Sequence, residues 1–222
     1  LDLSGTVKPH LVVEDCVLIN NGGLAIDGMP IDMIESFTGN TANGNGLGDY
    51  MNIASTGPGQ DITIGLDNCL NGVLVMPTLT VPNGVHWTIE AGVALKFAAA
   101  RQLLFQGGLD VLAGSQPVYM TSIFDDGVNG DTNNDGVSMG TAGDWRGLYF
   151  YSGATASNVD NLIIRYTGQA GGAGLVQFSP NVALNGVRVE HAAFAGFDLY
   201  TTPLEMNHLV AYDCGLAGIR LF

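Results

Sequence analysis

The stretch Val187-Arg-Val-Glu-His-Ala-Ala-Phe-Ala-Gly-Phe-Asp-Leu199 is followed 22 positions later by Leu209-Val-Ala-Tyr-Asp-Cys-Gly-Leu-Ala-Gly-Ile-Arg-Leu221. Both read as a short strand, a polar or small corner, a Gly, and a second short strand. Looser copies lie upstream, from Val12 to Ile26, from Ile62 to Val75, and from Leu162 to Val176. Their Gly-apolar junctions fall at Gly23-Leu24, Gly72-Val73, Gly147-Leu148, Gly174-Leu175, Gly196-Phe197 and Gly218-Ile219, with gaps of 49, 75, 27, 22 and 22 residues. The last three gaps match single coils of a β-solenoid. The gap of 49 divides into 22 plus 27, and 75 reads as three coils, one carrying an insertion. In such a coil each strand pairs with the coils above and below at about 4.8 Å, and inward apolar residues stack into ladders. A β-sandwich also shows short strands with turns every 8–12 residues. The recurring 22-residue phrase favours the solenoid.

The rest of the chain agrees with an all-β reading. Short β-branched segments such as Ile62-Thr63-Ile64, Leu79-Thr80-Val81 and Trp87-Thr88-Ile89 are separated by Gly, Asn and Asp, and no apolar stripe of helical period runs for ten residues. The 222 residues include 32 Gly, and 46 % are apolar, enough to build a core. A net charge of −14 argues against nucleic acid or an anionic membrane as partner. No apolar run reaches the roughly 18 residues of a membrane span. Leu1 opens neither a Met start nor a signal peptide, so the chain reads as a mature product or an excised segment.

The run Leu79-Thr-Val-Pro-Asn-Gly-Val-His-Trp-Thr-Ile-Glu-Ala-Gly-Val-Ala-Leu-Lys-Phe97 resembles the opening coils of right-handed parallel β-helices in large secreted bacterial surface proteins. Those read approximately L-T-V-P-x-G-V-T-L-T-I-E-P-G-V-x-V-K-F. Leu109 to Ser122 is similar to the same family's L-x-V-x-G-T-x-x-x-P-I-x-F-T-S. Asp125-Asp126, Asp131-Thr-Asn-Asn-Asp-Gly136 and Gly143-Asp-Trp-Arg-Gly147 resemble its D-D…G-D-T-N-N-D-G…G-D-W-G-G insertion. Ala91 stands where the family has Pro, and Arg146 where it has Gly. The likeness covers about 73–222 well and 1–72 more loosely. It implies a right-handed pectate-lyase-like solenoid and an extracellular, cell-surface setting. It does not imply one activity.

Within that insertion, Asp131, Asn133 and Asp135 have the D-x-N-x-D-G spacing that opens an EF-hand loop, with Gly136 at the sharp turn. Alternate residues of such a loop aim oxygen ligands at one centre, which suits Ca²⁺. No Glu follows at the usual bidentate position, so Asp125, Asp126 and Asp144 complete the candidate metal set. From Asp125 to Asp144 there are five acidic residues and no Lys or Arg, an arrangement that would repel itself without a cation. The plain alternative is a solvated Asn/Gly loop with Asx-turns. Trp145 is expected to cover the loop's return.

Pectate lyases and polygalacturonases share the implied fold, so catalysis must be weighed. Uronate lyases need basic groups, and here Lys8, Lys96, Arg101, Arg146, Arg165, Arg188 and Arg220 are scattered over separate coils. Asp125-Asp126 lacks the downstream Gly-His-Gly and Arg-Ile-Lys motifs of polygalacturonases. His10, His86, His191 and His208 share no ligand spacing, and no G-x-S-x-G occurs. No catalytic residue and no organic cofactor is assigned. Phe97, Phe105, Tyr149, Phe150, Phe178, Phe194 and Phe197 read as core ladder members. Trp87 or Trp145 could serve as a carbohydrate platform.

Cys16, Cys69 and Cys214 each follow a strand and an Asp or Asp-Asn, which predicts one common corner of the coil. An odd Cys in a secreted chain raises intermolecular pairing. Stacking Phe222 against another Leu1 would place the next Gly-apolar junction 27 residues on. The expected interface is therefore Leu1, Leu3, Cys16, Cys214, Ile219, Leu221 and Phe222, with Cys214 one coil from Cys16 of the next unit.

The sequence thus predicts an all-β, right-handed parallel β-helix of roughly nine coils, one domain over 1–222, with a calcium-type loop insertion at about 125–144. The expected function is a non-enzymatic extracellular structural unit of a bacterial surface, adhesive or filament assembly. Its expected partners are head-to-tail copies of itself or flanking coils of a longer chain, with glycans possible. The alternative is a carbohydrate-active lyase or hydrolase, or a glycan-binding module. A groove of clustered Asp, Arg and aromatic residues on one outer sheet would favour that alternative. Bare strand edges at the ends would favour the structural reading.

Overall fold

Period-two alternation leaves each short strand with one apolar face, and the strands bury those faces by winding around a common axis. The computed structural model describes residues 11–222. It is an all-β parallel solenoid of about nine turns. Sheet I stacks six strands, Ile62–Ile64, His86–Glu90, Gly108–Leu112, Ser157–Asp160, Val182–Asn185 and Glu205–Asn207. Sheet II stacks eight, Leu24–Met29, Gly48–Ile53, Val73–Met76, Ala94–Phe97, Val118–Ser122, Leu162–Arg165, Arg188–Glu190 and Val210–Tyr212. Sheet III stacks six, Leu79–Val81, Gln102–Phe105, Gly147–Phe150, Leu175–Gln177, Phe197–Leu199 and Ile219–Leu221. The first turns also form two short parallel pairs, Val13–Glu14 with Phe37–Thr38 and Val17–Ile19 with Thr41–Asn43.

The repeat arithmetic holds in one sheet and fails across two. Leu148, Leu175, Phe197 and Ile219 are in-register neighbours of sheet III, so the gaps of 27, 22 and 22 are true turns. Leu24 and Val73 belong to sheet II instead. The gap of 49 is two turns of near-equal length, because Leu24 pairs with Gly48 and Met51 with Leu74. The gap of 75 spans two turns of sheet II, then the insertion, and changes sheet on the way.

Glycine at the sheet III junctions is demanded by close approach between turns. A Cβ on Gly196 would lie 2.7 Å from the Gly218 carbonyl oxygen, and one on Gly147 2.7 Å from that of Ala173. The corner after sheet II instead takes the left-handed conformation at Tyr166, His191 and Asp213, one residue per turn. Tyr166 and His191 are fixed there by backbone hydrogen bonds along the axis, Tyr166 N to Glu190 O at 3.1 Å and His191 N to Tyr212 O at 3.0 Å.

The core is a set of inward ladders. Trp87 stacks in register on Ile62 and Leu109, and its ring meets Phe105 edge-on at 5.9 Å. Phe105 continues to Phe150 at 5.5 Å. Each such buried large side chain contributes roughly 1.5–3 kcal/mol. Two aromatic expectations are overturned. Trp87 and Trp145 have no solvent exposure, so neither is a surface platform. Tyr149, Phe178 and Phe194 are only partly buried, and Tyr149 and Phe178 form a small cluster apart from the main core.

Candidate functional site

The insertion leaves sheet II after Ser122 and returns at Gly147. Its path is backward along the solenoid. Val128 packs on Val73, Ala94 and Tyr119 of the outer face of sheet II. Asn129 Nδ2 donates to the carbonyls of Asn71 and Gly72, and Asn134 Nδ2 donates to that of Gly46 at 3.2 Å. Trp145 pins the return, as expected. It stacks flat on Phe97 at 4.1 Å and donates from Nε1 to Arg165 O at 2.7 Å.

Part of the positive charge that these acids call for comes from outside the insertion. Lys96 is fully buried, and its ammonium donates to the Asp125 and Gly130 carbonyls at 3.0 Å each. Burial pulls the Lys96 pKa below the ordinary lysine value, while Asp125, Asp126 and Asp131 resist that shift. Arg165 brings a second positive charge. It bonds Glu190 at 2.8 Å and approaches Asp125 at 3.6 Å. Burial raises the Glu190 carboxyl, but Arg165 and Arg188 outweigh it and hold it below the ordinary glutamate range.

The six-residue metal set therefore divides. Asp125 is buried and accepts from Thr121 Oγ1 at 2.7 Å, so it belongs to the strand and to Arg165. Asp144 accepts from Ser122 Oγ at 2.5 Å and from Thr141 N at 2.9 Å, closing the return. Asp126, Asp131 and Asp135 do converge, with one carboxylate oxygen from each within 4.8 Å of the other two. Asn133 joins them by donating to Asp135 at 2.8 Å. The Asp131 carboxylate also accepts from the backbone of Asp135 and Gly136, which curls the loop around it. Two oxygens here, Asp126 Oδ1 and Asn133 Oδ1, are shielded from solvent with no donor in reach among the described residues. For one oxygen from each of Asp126, Asp131 and Asp135, this spacing is one that ligands about 2.4 Å from a shared Ca²⁺ could take.

A second feature was missed by sequence reasoning. The outer face of sheet III carries a groove of about 390 Å³, with Arg146, Tyr149, Gln169, Phe178, Asp198 and Tyr200 in its wall. Asp198 is buried at its floor and bonded to Arg220 through both guanidinium contacts, 2.5 and 2.6 Å. Five turns supply this lining, so no local motif could have announced it. Clustered Asp, Arg and aromatics on one outer sheet are the arrangement set out above as favouring carbohydrate.

The expected interface separates into parts. Ile219, Leu221 and Phe222 lie on the last turn and are 44 %, 75 % and 64 % exposed. Leu1 and Leu3 lie outside the described residues, as does His10. The common-corner prediction for the cysteines fails, because Cys16 and Cys69 precede the sheet II strand of their turns whereas Cys214 follows it. A stack continuing sheet II in register would put Cys214 and Cys16 at opposite corners, beyond disulfide reach. Burial also raises the Cys69 and Cys214 thiols, which disfavours the reactive thiolate. Of the other histidines, His86 lies 3.1 Å from Asp110, His191 lies 2.8 Å from Asp213, and His208 is exposed.

No family model, curated protein or solved structure matches the chain.

Proposed function

We propose that the protein is a non-enzymatic structural solenoid of an extracellular, bacterial cell-surface assembly, whose working contact is strand pairing with a further parallel turn. One observation carries this reading. From Leu79–Val81 onward every strand of sheet III pairs in parallel with the next, and Leu79, Leu103, Leu148, Leu175 and Phe197 stack in register as one buried inward ladder. Such a ladder is extended by each added turn through the same parallel pairing and apolar stacking, so a further turn is the partner that the fold fits best. That turn comes from a second copy or from further coils of one chain. The cations that an elimination reaction would need are largely committed: Lys96 to the insertion, Arg165 and Arg188 to Glu190, and Arg220 to Asp198.

Sedimentation and negative-stain microscopy of the 222-residue chain test the reading. Self-stacking predicts concentration-dependent oligomers or fibres, and Leu221→Lys with Ile219→Lys should dissolve them at least about tenfold in apparent affinity, since two buried aliphatics are lost. Monodisperse monomers at every concentration would end the self-stacking form of the proposal. Appending the next coils of a longer chain should then raise the melting temperature if coils of one chain supply the turn.

We further propose that Ca²⁺ binds at Asp126, Asp131, Asn133 and Asp135 and tightens the insertion on sheet II. Millimolar Ca²⁺ should raise the melting temperature, and chelator should reverse it. Asp131→Asn with Asp135→Asn should abolish the increment while shifting apo stability by about 0.5 kcal/mol or less, because both residues are exposed. An equal response in the variant would refute the assignment.

A further inference from the structure

The groove on sheet III crosses five successive strands, from Gln102–Phe105 to Ile219–Leu221. At about 4.8 Å per strand that is a run of about 19 Å, the shape of an extended chain. Its volume of about 390 Å³ lies in the range of small-ligand clefts, roughly 300–1,000 Å³.

The chemistry of the wall is mixed and unspent. Gln169 Oε1, an acceptor, and Arg146 Nε, a donor, are both shielded from solvent and have no partner among the described residues. Buried polar atoms are almost always bonded, so an unmatched donor and acceptor on one groove ask for a ligand that offers both. The Tyr149, Tyr151 and Tyr200 side chains add phenol hydroxyls, each able to donate and accept. Apolar surface lies between these groups. Phe178 and Tyr200 stack at 4.3 Å, and Tyr200 and Phe222 stack at 4.3 Å, giving a ridge with one ring per turn. The Asp198 and Arg220 charges cancel in their bidentate pair, leaving Arg146 as the one cation of the wall without a carboxylate partner among the described residues.

A chain with hydroxyls along its edges and apolar C–H patches on its faces meets each of these demands. A polyanion would be opposed by the net charge of −14. An extended peptide would seek strand edges rather than the face of a fully paired sheet. We propose that the outer face of sheet III is a binding groove for a neutral oligosaccharide, held by Arg146, Gln169 and the tyrosine hydroxyls against the Phe178–Tyr200 ridge. This goes beyond the structural role, since it concerns the flank of the solenoid and not its end.

The test is saturation-transfer NMR and calorimetry with the full chain against neutral hexasaccharides of glucose (β-1,4 and α-1,4), xylose, mannose and N-acetylglucosamine, with hexagalacturonate alongside. At least one neutral oligomer should bind with a Kd tighter than about 1 mM. Arg146→Ala and Gln169→Ala should each weaken it about fivefold or more, with circular dichroism unchanged. Met139→Ala, on the exposed insertion, should bind as the parent does. The proposal is overturned if no neutral oligomer binds, if hexagalacturonate binds most tightly, or if both groove variants retain full affinity.

Discussion

The outer faces of sheets II and III start from the same repeat and end differently. On sheet II the chain covers itself: the insertion lies over the strands, Lys96 and Thr121 have no exposure, and every hydrogen bond of the ammonium is internal. On sheet III, among the described residues, the short Gln169–Gly171 segment walls the groove and leaves it open. Tyr200 remains 39 % exposed, and Arg146 Nε and Gln169 Oε1 stay unmatched. A solenoid can thus use an outward position either to lock an insertion down or to face a partner. Unsatisfied polar atoms mark where each face is left open to a partner: Asp126 Oδ1 and Asn133 Oδ1 on the insertion, Arg146 Nε and Gln169 Oε1 on sheet III.

That contrast can be broken by mutation. The largest effect is expected from Trp145→Ala, which removes a fully buried indole stacked on Phe97 and a hydrogen bond to Arg165 O. Urea denaturation should show a loss of about 3–5 kcal/mol. A loss below about 1 kcal/mol, within the range of surface changes, would mean that the insertion is not part of the cooperative fold.

Next comes Lys96→Met, which leaves the Asp125 and Gly130 carbonyls without a donor. A loss of about 2–3 kcal/mol is expected. The pH dependence has a definite sign. Because burial lowers the folded pKa of Lys96, the unfolded chain holds a proton that the folded chain gives up between that lowered value and the ordinary one. The wild type should therefore gain stability relative to the variant as pH rises through this alkaline window. A relative loss would mean that the ammonium is held more tightly when folded. The smallest effect is expected on sheet III, where Tyr200→Ala should cost about 1 kcal/mol or less, chiefly from its aromatic stacking. A larger loss would give sheet III the locked character of sheet II.

Much of the fold was legible because glycine marks where turns approach closely, and the junctions at 147, 174, 196 and 218 align in register. Gly23 and Gly72 carry the same local signature at another sheet, and local chemistry does not encode which face of the coil it serves. The insertion was legible from its Asp/Asn/Gly run. Its cation was not, because Lys96 stands 29 residues before Asp125 and reaches it only through the pairing of Lys96 with Thr121. A Lys inside the apolar strand Ala94-Leu-Lys-Phe97 was the available clue. Of the six candidate ligands, Asp131 and Asp135 of the D-x-N-x-D spacing meet Asp126, with Asn133 bonded to Asp135, whereas Asp125 is held by Thr121 and Arg165 and Asp144 by Ser122 and Thr141.

The backward path of the insertion has a mechanical consequence. Hydrogen bonds between turns run along the solenoid axis, so tension applied at the ends loads them directly, one turn after another. From Gly46 to Trp145 the turns are laced together by side chains that skip over their neighbours, including Asn134 to Gly46 and Asn129 to Gly72. The turns after Leu162–Arg165 lie beyond this lacing. Under an optical trap we expect those distal turns to peel away first in small steps, and the laced segment to yield later in one larger rip. The insertion would then act as a rivet that sets how far the rod can unravel before it fails.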